Sequence, residues 1–234
     1  MACGETPVPV PRLSVGELVV LCTILLSLMS CARPESAMTP LRFDRAPISC
    51  AVALAPARAE IDQFADGLQS DRDRISTDPD PDLFENSSGV RCAAIFRGGS
   101  NAWDPLDDQT QRPTSRHLFV SIAVILPDDS YPDPETRAHS LFDRRRPHDA
   151  TQVEGIGDAA YSVSTHSRYP GGIEGTIAAS VEIRFRISNL IVDVDAGGIN
   201  VHDSNEPAEL PTDLARDAEA IATALASNID AVMT

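Results

Sequence analysis

Arg116-His-Leu-Phe-Val-Ser-Ile-Ala-Val-Ile-Leu126 is the stretch whose reading decides the fold. Its β-branched and aromatic residues favour a strand. At a period of two, Leu118, Val120, Ile122, Val124 and Leu126 fall on one face. Phe119, Ser121, Ala123 and Ile125 fall on the other. A strand with one wet face would alternate apolar with polar residues. Here both faces are mostly apolar, which places the strand centrally in a sheet. Pro127-Asp-Asp ends it.

Working outward, Thr176–Ile187 and Leu190–Asp195 read as a hairpin across Ser188-Asn189. Val181, Ile183, Phe185 and Ile187 alternate with Glu182, Arg184 and Arg186, one face dry and one wet. Leu190, Val192 and Val194 oppose Asp193 and Asp195 in the same way, and Ile191 breaks the pattern. Arg91–Arg97 reads as a further strand, closed by Gly98-Gly99. Three helices are expected around these strands. The first runs from Ala55, with Pro56 in its first turn, to Gly67, and carries Leu54, Ala57, Ile61, Phe64 and Leu68 on one face. The second runs from Pro134 to Arg146, and Arg144, Arg145 and Arg146 suit the negative end of its dipole. The third runs from Thr212, a candidate N-cap, to Ile229, with a core stripe of Leu214, Ala218, Ile221, Leu225 and Ile229. The expected fold is α+β, a central antiparallel sheet of about five or six strands flanked by helices.

Residues 69–89, 98–115 and 196–211 read as polar loops. In the first, Asp78, Asp80 and Asp82 alternate like the start of an EF-hand. Leu83 stands where the glycine belongs and Gly89 where the closing glutamate belongs, so a solvated loop is expected. The second holds the single Trp103, which reads as a cap on a core edge. Gly155-Ile-Gly157-Asp-Ala-Ala160 matches the dinucleotide fingerprint in spacing. Tyr161-Ser-Val-Ser-Thr165 follows it, a strand where the motif needs a helix, so a glycine turn is expected.

The sequence contains no G-x-S-x-G, no H-E-x-x-H and no P-loop, and its five histidines are scattered. No catalytic, cofactor-binding or metal-ligating residue is assigned. The abundant carboxylates leave room for one alternative, an acid pair of the kind that hydrolyses glycosidic bonds. The formal charge of −16 repels nucleic acid and anionic headgroups, so neither is expected as a partner. All 19 basic residues are arginines, which reads as codon bias of a GC-rich genome.

The chain start adds an address. Leu18–Met29 is an apolar run of about a dozen residues, the length of a signal h-region and short of a membrane span. It ends at Leu28-Met-Ser-Cys31, and a polar segment follows. Only Arg12 and the amino terminus are positive before it, a weaker basic start than most signals have. The stretch resembles a bacterial lipoprotein signal with its lipobox. The resemblance implies that residues 1–30 are a signal peptide and that Cys31 carries the lipid, palmitate included. Residues 31–40 would be a tether and 41–234 a single domain, on the extracytoplasmic face of the cell membrane. The cysteine count then makes sense. Of five cysteines, Cys3 and Cys22 leave with the signal and Cys31 is lipidated, so Cys50 and Cys92 remain. In an oxidising compartment an even pair with no C-x-x-C and no nearby histidine is expected to form a disulfide.

The order of features resembles a group of actinobacterial cell-envelope lipoproteins of unknown function. These features are Cys31, Cys50 before a helix, Cys92 in a strand, the Gly155–Ala160 turn, a hairpin and a terminal helix. Some of that group have PsbP-like or Mog1-like folds, an antiparallel sheet flanked by helices. The resemblance implies a non-enzymatic binding or accessory module for an envelope protein, lipid or glycan, and brings no catalytic residues and no cofactor. An envelope hydrolase with paired carboxylates is the alternative.

Overall fold

The structure is a computed structural model that describes residues 41–70, 76–78, 84–97, 112–168, 176–201 and 210–233. Its elements follow in order: α1 (Cys50–Ala53), a 3-10 turn (Ala55–Ala57), α2 (Arg58–Phe64), β1 (Gln69–Ser70), β2 (Ser76–Asp78), β3 (Ser87–Arg97) and β4 (Arg112–Ile125). After these come α3 (Pro134–Arg144), β5 (Thr151–Val153), β6 (Ala159–Arg168), β7 (Thr176–Ile187), β8 (Leu190–Val201), α4 (Leu210–Ser227) and α5 (Ile229–Val232). Among the described residues the strands form one sheet in the order β1-β3-β4-β8-β7-β6-β5, with β2 also on β3, and every pairing is antiparallel. β1, β2 and β5 are short pieces at the edges, so five long strands carry the sheet. The fold is the expected α+β arrangement, and β4 lies inside it between β3 and β8. No helix among the described residues is long and apolar enough to cross a membrane.

The first face of the sheet holds the main core. Leu118, Val120, Ile122 and Val124 of β4 are buried there with Val90 and Cys92 of β3, Val192 and Val194 of β8, and Ile183 and Phe185 of β7. α4 lies over β7 and β8 and packs on α2. Its stripe Leu214, Ala218, Ile221 and Leu225 is fully covered, as the spacing implies. Burial of a large apolar side chain contributes roughly 1.5–3 kcal/mol, so this layer dominates the fold's stability. Cys50 at the start of α1 is bonded to Cys92 in β3, across a separation of 42 residues. The bond therefore ties the first helical segment to the sheet.

The structure corrects several element boundaries. The first helix is broken into α1, the 3-10 turn and α2, because Pro56 sits in the turn and gives no backbone N–H. Asp66 and Gly67 then take left-handed φ values of 49° and 72° and stop it. The last helix starts at Leu210, so Thr212 lies inside it and is not its N-cap. Ile229 belongs to the separate turn α5 but is still buried. Only Arg144 of the arginine triplet lies in the last turn of α3; Arg145 stacks on Phe84, 4.1 Å from the ring centroid, and Arg146 on Tyr161, at 5.9 Å. Gly155 and Gly157 form the expected turn, with φ of 79° and 59°, and the strand β6 follows. A Cβ at Gly157 would stand 2.6 Å from the Arg186 carbonyl oxygen, so no other residue fits there.

The largest difference is in β8. A loop is expected from residue 196, yet the strand continues through Gly197-Gly198 to Val201. A Cβ at Gly197 would lie 2.2 Å from the His117 ring, and one at Gly198 would lie 2.8 Å from the Arg116 side chain. These glycines therefore mark the places where two large cross-strand side chains lie flat on the strand, one on each face. Trp103, Asp80 and Asp82 lie outside the described residues, as do residues 1–40 with Cys31.

Replacing both bridge cysteines, Cys50→Ala with Cys92→Ala, is expected to lower unfolding free energy by about 4 kcal/mol, the chain-entropy value for a loop of this length. Urea titration of the double variant against the oxidised protein measures it. A loss under about 1 kcal/mol would show that the loop is already constrained without the bond.

Candidate functional site

Among the described residues, the second face of the sheet is covered by a helix at one end only. Asp133 caps α3 by accepting from the N–H groups of Glu135 and Thr136, and Pro134 occupies the first position. Arg137 pairs with Asp128 and donates to the Glu85 carbonyl, which fastens the helix to the sheet's end. Ala138 and Phe142 of α3 then bury Ala123, Ile125, Tyr161 and Ile191. Ile191, the residue that breaks the alternation of β8, does so because it lies beneath this helix.

Beyond α3 the face is organised in rows, each a set of directly paired residues across β3, β4, β8, β7 and β6. The row nearest α3 is Arg91, Ser121, Asp193, Arg184 and Tyr161. The next is Ala93, Phe119, Asp195, Glu182 and Val163, and the third is Ile95, His117, Gly197, Ser180 and Thr165. Arg184 is the hub of the first row. Its guanidinium pairs with Asp193, reaches Glu182 at 3.2 Å and donates to the Tyr161 hydroxyl at 3.0 Å. That hydroxyl donates in turn to the Arg145 carbonyl at 3.2 Å. Burial opposes the charge on Arg184, but Asp193, Tyr161 and Glu182 outweigh it and hold the guanidinium protonated. Burial raises the Tyr161 pKa, so its hydroxyl remains a donor.

The second row is not balanced in this way. Glu182 and Asp195 are direct cross-strand neighbours, an arrangement that places like charges side by side. Burial pushes the Glu182 carboxyl up, against the pull of Arg184. Burial likewise pushes Asp195 up, and Asp193 adds to this while His117 opposes it. Asp195 accepts no hydrogen bond from any described residue. Phe119 stands beside it, its ring 5.5 Å from that of His117. Phe119 and Ile95 are 36% and 44% exposed, unusual for large apolar residues on strands inside or near the centre of a sheet.

Glu182 and Asp195 are the adjacent carboxylates on which the hydrolase alternative would draw. Other chemistry-bearing residues are dispersed. His139 is exposed on α3 beside Asp143, His148 is exposed, and His166 lies on β6. A depression of about 460 Å³ beside Thr136, His139, Ser140, Asp143 and Arg144 contains one carboxylate, already paired with His139. No group of three or more acidic, histidine or cysteine side chains among the described residues is arranged to hold a metal ion. The sequence held the signal for the cluster. Once Ser188-Asn189 is taken as a two-residue turn, counting outward pairs Arg184 with Asp193 and Glu182 with Asp195. His117 and Phe119 could not be found that way, because the β4–β8 pairing joins segments far apart in the chain.

The raised carboxyls predict a particular pH dependence. A group whose folded pKa lies above its unfolded value stabilises the fold while protonated, and that contribution is lost as pH rises through the folded pKa. At neutral pH, Glu182 and Asp195 therefore oppose folding. Asp195→Asn and Glu182→Gln are each expected to raise the thermal midpoint at pH 7, with the gain shrinking toward the ordinary carboxylate range. Asp128 has the opposite sign: its hydrogen bond from Asn86 lowers its pKa, so acid removes its contribution. Melting curves from pH 4 to 8 test this, and a lowered midpoint for Asp195→Asn at pH 7 would contradict it.

A scan against protein-family models finds no match to this chain, and a search of curated proteins finds no similar sequence.

Proposed function

We propose that this protein is a lipid-anchored module of the cell envelope, held to the extracytoplasmic face of the membrane through Cys31. On this reading it works without catalysis, by binding a protein partner on the open end of its sheet. The observation that carries the binding reading is the row Ala93, Phe119, Asp195, Glu182 and Val163. It presents an exposed aromatic ring and half-buried carboxylates on a flat surface that α3 leaves uncovered among the described residues. Large apolar groups on such a face, rimmed by polar ones, are typical of protein contact sites. The Cys50–Cys92 bond supports an oxidising compartment, and the charge of −16 suits a module held at a distance from anionic headgroups. The alternative, an envelope hydrolase, would use the same Glu182–Asp195 pair, with one carboxyl protonated through burial as a general acid. Binding takes precedence because Phe119 and Ile95 extend the exposed face beyond what the acid pair would need.

Two experiments test the parts separately. Cys31→Ala is expected to move the protein from the membrane fraction to the soluble fraction and to abolish the acyl mass increment; unchanged fractionation would remove the anchor. A photo-crosslinking residue at position 119 is expected to capture a defined protein band in intact envelopes, whereas one at Val52, exposed on α1, captures none. Equal patterns from both positions, or none from position 119, would remove the docking face.

A further inference from the structure

We propose that the partner segment seated on this face presents an arginine or lysine between apolar side chains, with the cation placed over Asp195 and Glu182. The inference rests on the binding-module reading and specifies the partner's chemistry. It follows from the sequence of side chains along one row. Read across five strands, the row is apolar, aromatic, acidic, acidic, apolar: Ala93, Phe119, Asp195, Glu182, Val163. Neighbouring strands are about 4.8 Å apart, so the two acids form one seat with apolar surface on both sides.

Within this seat the donors are unevenly shared. The titratable and charged groups in the neighbouring rows of the same face are Arg91, Asp193, Arg184 and Tyr161 toward α3, and His117 beyond. Arg184 already serves Asp193 and the Tyr161 hydroxyl, and it reaches Glu182 with one nitrogen. Asp193 and Glu182 thus share the Arg184 guanidinium, and Asp195 has no hydrogen-bond donor among the described residues. A guanidinium or ammonium entering between Asp195 and Glu182 would supply the missing donors and relieve the like-charge contact. Phe119, the cross-strand neighbour of Asp195, adds an aromatic ring with which an entering cation can interact favourably. A neutral or acidic segment would cover the apolar ends but leave Asp195 without a donor beside Glu182, an arrangement that costs affinity.

The test uses the full chain, oxidised and isotope-labelled, in detergent micelles. The probes are three synthetic peptides of equal length that alternate leucine with arginine, with glutamine or with glutamate. The arginine peptide is expected to shift the backbone amide signals of residues 117–121 and 193–197, and the glutamate peptide to leave them unmoved. Glu182→Gln with Asp195→Asn, which keeps side-chain shape, is expected to weaken arginine-peptide binding about tenfold or more. Asp129→Asn with Asp149→Asn makes the same charge change at exposed positions elsewhere and is expected to alter binding by no more than about twofold. Equal weakening by both pairs would reduce the effect to bulk charge and overturn the proposal. So would no shift with the arginine peptide, or equal binding of the glutamine peptide. If position 119 crosslinks a partner in envelopes while the arginine peptide fails, the cation requirement falls and the docking face stands. If position 119 captures nothing, the docking face itself falls.

Discussion

The side chain of Asn189 fixes the geometry on which the rest of the second face depends. It is almost wholly buried at the β7–β8 turn, donates to the carbonyls of Phe43 and Ile125, and accepts from the Phe43 N–H. A buried amide is costly unless its hydrogen bonds are made, so this one holds the turn in a single position against β4 and the start of the domain. Ser188, at φ 50°, completes the turn, and its N–H donates to Asp158. A shift of one residue here would send every side chain of the hairpin to the opposite face. The pairs Arg184–Asp193 and Glu182–Asp195 are direct consequences of that register.

The two faces of the sheet then divide their roles. The first holds the main core, with α4 packed on β7 and β8 and α1 stapled to β3 by the disulfide, and it supplies the stability. The second is secured by α3 at one end, where Arg137, Asp128 and the aromatic pair Phe142–Tyr161 hold the helix down. The remaining surface carries carboxylates that folding has partly removed from water without giving each a cation. Such groups oppose stability, and a fold with a large first core tolerates them. Residues that are costly to the fold and exposed to a partner are where binding chemistry is commonly found.

Glycine has two uses in this chain. At Gly157 the left-handed backbone and the nearby Arg186 carbonyl both require it. At Gly197 and Gly198 the backbone is ordinary strand, and the requirement comes from neighbours, His117 above and Arg116 below. The first kind can be read locally as a turn. The second reads locally as a loop, and so β8 is longer than its sequence pattern suggests.

The sequence by itself determined the α+β class, the central place of β4, the Ser188-Asn189 turn, the core stripe of the last helix and the pairing of Cys50 with Cys92. These follow from periodicity of two or of three and four, from turn position and from cysteine arithmetic, all of which are local or countable. Tertiary structure alone decided that β8 lies beside β4, because antiparallel pairing between distant segments leaves no mark in either one. That single adjacency brings His117 and Phe119 to Asp195 and Glu182. It also decided that α3 covers one end of the second face, which explains Ile191 and, among the described residues, leaves the acid row open. The candidate site was therefore half legible: its hairpin charges could be paired by counting from the turn, whereas its aromatic neighbours required the folded sheet.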